Sequence, residues 1–285
     1  MPFFLMLSFV RPHAPYDAPS CYFDMYRDQK LQAPIRGNWE EKDLGIGGRI
    51  YNSFTGPEDP ALIRQQQIGY YACITHVDHQ IGRFLQELQS SCAGEDNIIL
   101  FTSDHGEMLS DHNRTRKSLP YQGSVHIPMI LNGPEHLIGS HNTINQSLVE
   151  LRDVMPTLLE LAEIKPSVPL DGISMLSDSG REYLHGEHAY RKNSSHYIVT
   201  KKDKYIWFSQ TGREQYFKLD DDPGETRDCI NDPHYQDRVS FLRSLLVREL
   251  EDREEGCSDG NRLYVGKPPR YILKEVLRKG ENNNV

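Results

Sequence analysis

The sequence predicts an α/β protein with a mixed or parallel sheet flanked by helices, followed by a small antiparallel sheet that packs with one helix. Two segments, residues 3–10 and 97–102, are apolar on both faces, which is typical of strands buried inside a parallel sheet. An amphipathic stripe between them indicates a long helix, and segments of alternating polarity follow near the C terminus. We therefore divide the chain into a core portion, residues 1–185, and a C-terminal subdomain, residues 186–285.

The size and charge of the chain narrow the classes of partner. Its 285 residues suit one large α/β domain, or a core with a small appendage. The 32 Lys and Arg residues against 41 Asp and Glu residues give a formal net charge of −9. Without a basic stripe such a chain cannot neutralise many phosphates, so we expect neither nucleic acid nor an anionic membrane as a partner. No run approaches the ~18 apolar residues of a membrane helix.

The cysteines do not form a recognisable pattern. There are five, at positions 21, 73, 92, 229 and 257, and no two of them form a C-x-x-C pair. An odd, dispersed set predicts neither a disulfide framework nor a zinc knuckle. We expect free structural thiols.

The composition of the first half of the core portion predicts a strand, a loop region and a helix. Because residues 3–10 form a buried strand in this interpretation, we expect the sequence to begin partway through its own sheet. Residues 11–60 hold six of the seventeen prolines and are expected to form a long ordered loop region. A helix is expected where apolar residues recur at three- and four-residue steps, namely Ile74, Val77, Ile81, Phe84 or Leu85, and Leu88.

The rest of the core portion adds two strands and a helix. The second strand, residues 97–102, ends in polar residues, and a third is expected at residues 126–131. Asp153 is a plausible N-cap for a helix that tolerates Pro156 in its first turn and runs to about Leu161.

The C-terminal subdomain is expected to contain a meander and a helix. Alternating segments separated by turn residues predict antiparallel strands at residues 197–200, 204–208 and 215–219. The final helix carries an apolar stripe made of Val239, Leu242, Leu245, Leu246 and Leu250. The tail, residues 281–285, is expected to fray.

Asp104 and His105 form a candidate metal site. They follow the second strand at its carboxyl end, the edge where open α/β sheets bind ligands. A carboxylate beside an imidazole can ligate one divalent cation. The alternative is an ordinary pair in a surface loop.

Lys117 and His13 are the other two candidates. Lys117 ends a basic patch, residues 114–117, and its ammonium can clamp an anionic group or remain a solvated loop charge. His13 lies between two prolines directly after the first predicted strand. It can serve as a general acid or anion donor, or simply bond within its loop. A metal site, a lysine and a histidine on one edge of a sheet suit the hydrolysis of a tetrahedral anionic ester.

The chain resembles the sulfatase family, the arylsulfatase-like branch of the alkaline phosphatase superfamily, over nearly its whole length. The segments that carry the resemblance occur in family order at matching spacing. They are residues 2–16 ending SFVRPHAPY, 22–26 YFDMY, 70–83 ending in DHQIGR, 102–112 TSDHGEMLSDH, 116–128 beginning RKSLPY, 153–162 DVMPTLLELA, and 219–226 LDDDPGET.

The resemblance implies an alkaline-phosphatase-like fold and the hydrolysis of sulfate esters. It implies that Asp104 and His105 are two of the four protein ligands of a Ca²⁺ ion. It also implies that Lys117 and His13 contact the sulfate group, with His13 or a neighbour assisting departure of the leaving group. Family members use a hydrated formylglycine, made from the first residue of a C/S-x-P/A-x-R motif.

The sequence departs from the family at its front. None of the five cysteines and no serine begins a C/S-x-P/A-x-R motif, so the chain holds no formylglycine nucleophile. The paired aspartates that complete the family's calcium site, and a sulfate-contacting lysine and histidine, are missing as well. We therefore interpret the chain as N-terminally truncated, about the C-terminal 60% of a sulfatase with half an active site. We expect it to be inactive alone, with an incomplete Ca²⁺ site.

Two alternatives stay open. One is a phosphoesterase or phosphonate hydrolase of the same superfamily, and the other is a catalytically inactive remnant that acts as a structural or binding module. The expected partner is a small sulfate ester or a sulfated sugar, chosen by loops such as residues 17–60. Localisation and oligomeric state stay open; complete family members are often exported, and a signal peptide would precede residue 1.

Overall fold

The computed structural model describes residues 3–40, 53–91, 97–177, 180–188 and 193–270. Its helices are α1 Ser20–Arg27, α2 Pro60–Ser90, α3 Gln122–Val125, α4 Glu135–Ile138, α5 Val154–Leu161 and α6 Gln236–Glu249. Its strands are β1 Ser53–Thr55, β2 Ile99–Thr102, β3 Arg114–Arg116, β4 Met129–Asn132, β5 Leu184–His188, β6 Ser195–Val199, β7 Lys204–Phe208 and β8 Glu214–Phe217. Short 3₁₀ turns occupy Asp111–Asn113, Leu151–Asp153 and Pro233–Tyr235. Among the described residues, no helix is both long and apolar enough to cross a membrane.

Helix α2 confirms the predicted amphipathic helix and is longer than its apolar stripe. It begins where the side chain of Asp59 accepts a hydrogen bond from the backbone N–H of Ala61, at 2.8 Å. Tyr26 of α1 packs on it, with the tyrosine hydroxyl 2.6 Å from Oγ1 of Thr75. The loop region expected at residues 11–60 therefore contains a helix, α1, that the sequence analysis missed.

The prediction of a buried strand at residues 3–10 is wrong. The segment forms no strand among the described residues, and its side chains are exposed, with Phe4 at 78%. An apolar composition drives burial only where other strands or helices cover both faces. The described part of the chain supplies no such cover here.

The second and third predicted strands form one antiparallel pair. β2 and β4 lie side by side with Phe101 opposite Ile130. Both of these side chains are exposed, at 41% and 56%. The pair belongs to the predicted α/β core, and its pairing is antiparallel.

The C-terminal meander is confirmed and is larger than predicted. Antiparallel β6, β7 and β8 follow the expected segments, and β5 adds a fourth strand at the edge, giving the order β5-β6-β7-β8. β5 crosses residue 185, so the division into residues 1–185 and 186–285 stays a prediction. The tail at 281–285 lies outside the described residues.

The four-stranded sheet is covered on both faces, and β7 is buried throughout. Its odd-numbered residues Tyr205 and Trp207 face helix α6 in one apolar cluster. Its even-numbered residues Ile206 and Phe208 join a second cluster on the other face, because side chains alternate along a strand. This second cluster includes Trp39, Met108, Leu119, Tyr121 and Phe217. The sheet therefore supports the loops that carry the candidate site.

Candidate functional site

Three of the four predicted site residues lie together at the end of β2. Nζ of Lys117 is 2.6 Å from Nε2 of His105, and Oδ2 of Asp104 is 3.5 Å from the same nitrogen. The side chain of Asp104 is 82% exposed, whereas that of His105 is 29% exposed. A carboxylate, an imidazole and an ammonium group thus meet at one surface point.

The hydrogen bonds of His105 define which of its nitrogens can bind a ligand. Nδ1 lies 2.7 Å from the carbonyl oxygen of Gly106 and donates to it, since a carbonyl only accepts. Nε2 faces the ammonium of Lys117, which only donates, so Nε2 carries the lone pair. The backbone therefore orients the ring and presents Nε2 to the site, as a hydrogen bond to the other ring nitrogen does in metal-binding histidines.

The chain after β2 folds back so that Lys117 reaches His105. Backbone bonds join Met108 N to Arg116 O and Ser110 N to Arg114 O, each at 2.8 Å. The carboxylate of Glu107 accepts from the backbone N–H groups of Leu109 and Arg116. This return brings together two residues that are twelve positions apart.

The backbone on either side of Lys117 is held in the left-handed region. Arg116 has a φ of 69° and Ser118 has a φ of 73°, and neither is glycine. Such residues cost of the order of 1–3 kcal/mol each and persist where the surroundings fix them. Here Leu119 and Tyr121 are buried in the apolar cluster beneath the loop, which holds Lys117 in place.

Gly106 is required by the close approach of its loop to helix α3. Its N–H donates to the carbonyl of Ser124 at 2.8 Å. A Cβ at this position would lie 2.2 Å from the carbonyl oxygen of Gly123. The glycine in the D-H-G sequence therefore allows the short helix α3 to pack directly against the site.

The basic patch is not a uniformly exposed surface. Arg114 is only 7% exposed and lies within β3, which pairs with β1. Lys117 is half-buried. The patch predicted from the sequence therefore divides into a buried arginine and a lysine directed at His105.

His13 lies apart from the other three residues in its bonding. It is exposed, and its Nδ1 lies 2.7 Å from the carbonyl oxygen of Ala14. A bidentate pair between Arg11 and Asp17, at 2.5 and 2.7 Å, braces its turn. Among the described residues, no hydrogen bond or ion pair joins His13 to Asp104, His105 or Lys117.

Helix α2 nevertheless connects the His13 segment to the site loop. Oε1 of Gln66, in α2, accepts a hydrogen bond from the hydroxyl of Ser110 at 3.1 Å. Tyr16 packs against Gly69 of the same helix, because a Cβ built on Gly69 would lie 2.7 Å from the Cβ of Tyr16. Burial is the main cause that raises the pKa of Tyr16, and the negative charge of Glu107 is the second. The same two causes raise the pKa of Tyr70 to about 12. Residues 11–17 therefore lie near the loop that carries Glu107.

Sequence reasoning missed the supporting residues of this site. Glu107 lies within one of the segments that match the family, and a carboxylate three residues after Asp104 is the signal that could have identified it. The buried pair of Lys204 and Glu225 was also missed. Lys204 donates to Pro120 O at 2.9 Å and to Glu225 at 2.7 Å, and Glu225 accepts from the backbone of Gln122 at 2.7 Å. This pair fixes the loop that follows Lys117.

Comparison with known proteins identifies the family. A family model described as Sulfatase matches residues 1–164, and one described as N-sulphoglucosamine sulphohydrolase, C-terminal, matches residues 110–252. An arylsulfatase of Clostridium perfringens is 46% identical over 275 residues, which is 94% of this chain and 57% of that protein. The chain therefore spans little more than half the length of this relative.

Solved structures show the same fold. The crystal structure of a phosphonate monoester hydrolase of Agrobacterium radiobacter matches with a TM-score of 0.74 and 24% identity, over 88% of this chain and 57% of that one. The structure of the protein BT4656 in complex with its substrate D-glucosamine-2-N,6-O-disulfate matches with a TM-score of 0.58 and 21% identity. The match covers 67% of this chain and 41% of that one. The fold is thus that of the alkaline-phosphatase-like sulfatases. With a family model matching more than half of its residues, the chain belongs to the sulfatase family.

Proposed function

We propose that this chain supplies the metal-binding and sulfate-binding half of an active site that hydrolyses sulfuric esters. The observation that carries the proposal is the cluster of Asp104, His105 and Lys117 at the end of β2. An arylsulfatase at 46% identity over 94% of the chain supports it.

Asp104 and His105 fit one divalent cation, and members of the family generally bind one. The exposed carboxylate and Nε2 are 3.5 Å apart, so one ion can contact both once the ammonium of Lys117, which lies 2.6 Å from Nε2, turns to the sulfate group. We assign Ca²⁺, for which a carboxylate oxygen is the preferred ligand type. Two ligands are fewer than the six to eight that Ca²⁺ takes, so the remaining ligands must come from residues outside this pair. When bound, such an ion polarises the ester oxygens.

Lys117 and His13 are proposed to act on the sulfate group. The ammonium of Lys117 donates to sulfate oxygens and stabilises the negative charge that develops on them. His13 has its Nδ1 engaged with the backbone, so its Nε2 is the nitrogen that donates to a sulfate oxygen or to the leaving group. We derive no nucleophilic step, because none of the 285 residues begins a C/S-x-P/A-x-R motif.

A phosphonate or phosphate ester hydrolase of the same superfamily is the second candidate. The match to a phosphonate monoester hydrolase, with a TM-score of 0.74, supports this second candidate. Lys117, thirteen residues beyond Asp104, favours the sulfatase assignment by resemblance. A sulfated sugar or another small sulfate ester is the proposed substrate class.

The deciding experiment compares two leaving-group-matched substrates with the full product of the gene, including whatever is encoded ahead of residue 1. An aryl sulfate and an aryl phosphonate monoester with the same phenol are assayed side by side. We expect at least tenfold higher kcat/KM for the sulfate. A preference for the phosphonate would replace the proposal by the second candidate, and turnover of neither would favour the inactive remnant.

A further inference from the structure

A cluster of three metal-binding side chains lies in the C-terminal sheet, away from the site described above. His185, Glu187 and His196 each direct one ligand atom into a common space, and these atoms all lie within 4.8 Å of one another. Nothing in the sulfate-ester chemistry of Asp104, His105 and Lys117 uses them.

The register of the sheet produces this cluster. His185 and Glu187 are two residues apart on β5, so they lie on the same face. Glu187 is directly opposite His196 on β6, and His196 is directly opposite Trp207 on β7. The indole of Trp207 stacks under the imidazole of His196, with ring centroids 5.9 Å apart, and so fixes that ring.

Two distances within the cluster match the edges of a tetrahedral metal site, and the third is at most 4.8 Å. Nε2 of His185 is 3.3 Å from Nδ1 of His196, and Oε2 of Glu187 is 3.4 Å from the same Nδ1. A tetrahedron with metal–nitrogen bonds of about 2.0–2.1 Å has edges of about 3.3 Å. Both distances are long for hydrogen bonds, whose usual length is about 2.9–3.0 Å. One N–H on His196 also cannot serve both neighbours, whereas one cation satisfies all three ligand atoms.

The cluster is only partly accessible to solvent. The side chain of His196 is 9% exposed and that of Glu187 is 41% exposed, so the cluster is shielded below and open to solvent at the carboxylate.

Arg253 is the competing cation. Its Nη1 lies 2.7 Å from Oε2 of Glu187, and its Nη2 lies 2.7 Å from Glu255. Its hydrogen bond orients the carboxylate, but its charge opposes the binding of a second cation. We therefore expect micromolar rather than nanomolar affinity.

We propose that His185, Glu187 and His196 form a zinc site that joins the edge strand β5 to β6. Two imidazole nitrogens and one carboxylate are a known zinc ligand set, which leaves a fourth position for water. Hard, oxygen-preferring cations such as Ca²⁺ and Mg²⁺ are disfavoured, because two of the three ligand atoms are nitrogen.

The test is a Zn²⁺ titration of the 285-residue chain by calorimetry, after removal of metal with a chelator. We expect one equivalent bound at this cluster and a higher melting temperature in its presence. Glu187→Gln and His185→Gln should each weaken that binding at least tenfold. His234→Gln is the matched control, because His234 is an 88% exposed histidine that pairs with Asp232 elsewhere, and it should leave binding unchanged.

Two further measurements separate this proposal from the sulfatase proposal and from unfolding. Asp104→Asn should still bind the one equivalent of Zn²⁺ that Glu187→Gln loses, whatever the outcome of the ester assays. In the wild-type chain, the ring NMR signals of His185 and His196 should shift on addition of Zn²⁺ while that of His234 does not. Absence of those shifts, or equal binding by Glu187→Gln and wild type, would overturn the zinc site.

Discussion

At the scale of single residues, the position of Lys117 depends on its neighbours more than on its own side chain. Its ammonium meets the lone pair of His105, and left-handed residues flank it on both sides. Its long side chain would otherwise sample many rotamers, at a cost in entropy when a substrate binds. The loop therefore presents a charge that is already oriented.

Replacing Lys117 tests that role in the full product of the gene. Lys117→Ala should lower kcat for an aryl sulfate by roughly 10²–10³, the usual loss when one preorganised donor is removed. Lys165→Ala removes an exposed lysine elsewhere and serves as the control. An unchanged kcat would make Lys117 an ordinary loop charge.

Gly106 gives a prediction about stability. Gly106→Ala should lower the free energy of unfolding by about 1–3 kcal/mol, because its Cβ would overlap the carbonyl oxygen of Gly123. Gly82→Ala is the matched control, because Gly82 lies within α2 and nothing lies within 4 Å of the new Cβ. This substitution should raise the free energy of unfolding by about 0.5–1 kcal/mol. Denaturant unfolding of both variants decides the matter, and equal effects would contradict the close-approach argument.

Asp153 predicts how stability depends on pH. Burial raises the pKa of this carboxyl, but the bonds from Arg181 at 2.6 and 2.9 Å and from the N–H of Ile173 outweigh it, so the net shift is downward. A lowered pKa means that the unfolded chain binds the proton first as pH falls. The stabilisation is therefore complete above about pH 4 and is lost below it.

The measurement is the melting temperature from pH 7 down to pH 3 for wild type and Asp153→Asn. We expect the variant to melt lower at pH 7 and the difference to shrink as pH falls below 4. A difference that stays constant with pH would show that the charge of Asp153 is not the stabilising feature.

At the scale of elements, strand β7 connects the C-terminal sheet to the loop after Lys117. Lys204 is fully buried, and its Nζ reaches both Glu225 and the carbonyl of Pro120. Removing one partner of a buried ion pair leaves the other charge uncompensated. The ion pair therefore links strand β7 to the loop that contains Pro120, which is distant from it in sequence.

Lys204→Met should therefore destabilise the fold by about 3–5 kcal/mol. Lys218→Met is the control, since Lys218 pairs with Asp220 and Asp221 at the surface and should change stability little. Urea unfolding of the two variants checks this, and similar midpoints for both would contradict the structural role of Lys204.

At the scale of the whole molecule, the proposed function gives the 285 residues part of a catalytic apparatus but no nucleophile. Electrostatic groups that remain without a nucleophile recover only ~10³–10⁴-fold over water. We expect the chain alone to show no measurable turnover of an aryl sulfate. Turnover by the purified 285-residue chain would require a nucleophile among the residues present, and would refute this expectation.

Local patterns were sufficient for the elements whose partners lie nearby. Helix α2, the strands β6 to β8 and helix α6 each carry a clear period, and the structure confirms their prediction. Residues 3–10 have an equally clear apolar pattern, but a pattern states only that burial is favourable. Whether a partner surface exists is decided by the rest of the fold, and the described residues provide none.

The sequence by itself determined the family, the candidate residues Asp104, His105, Lys117 and His13, and the absence of a C/S-x-P/A-x-R motif among these 285 residues. Those features depend on residue type and spacing, which are local. Only the tertiary structure decided that Lys117 meets Nε2 of His105, and that two strands place His185 and Glu187 against His196. Such contacts depend on loop return and strand register, which arise from packing between elements far apart along the chain.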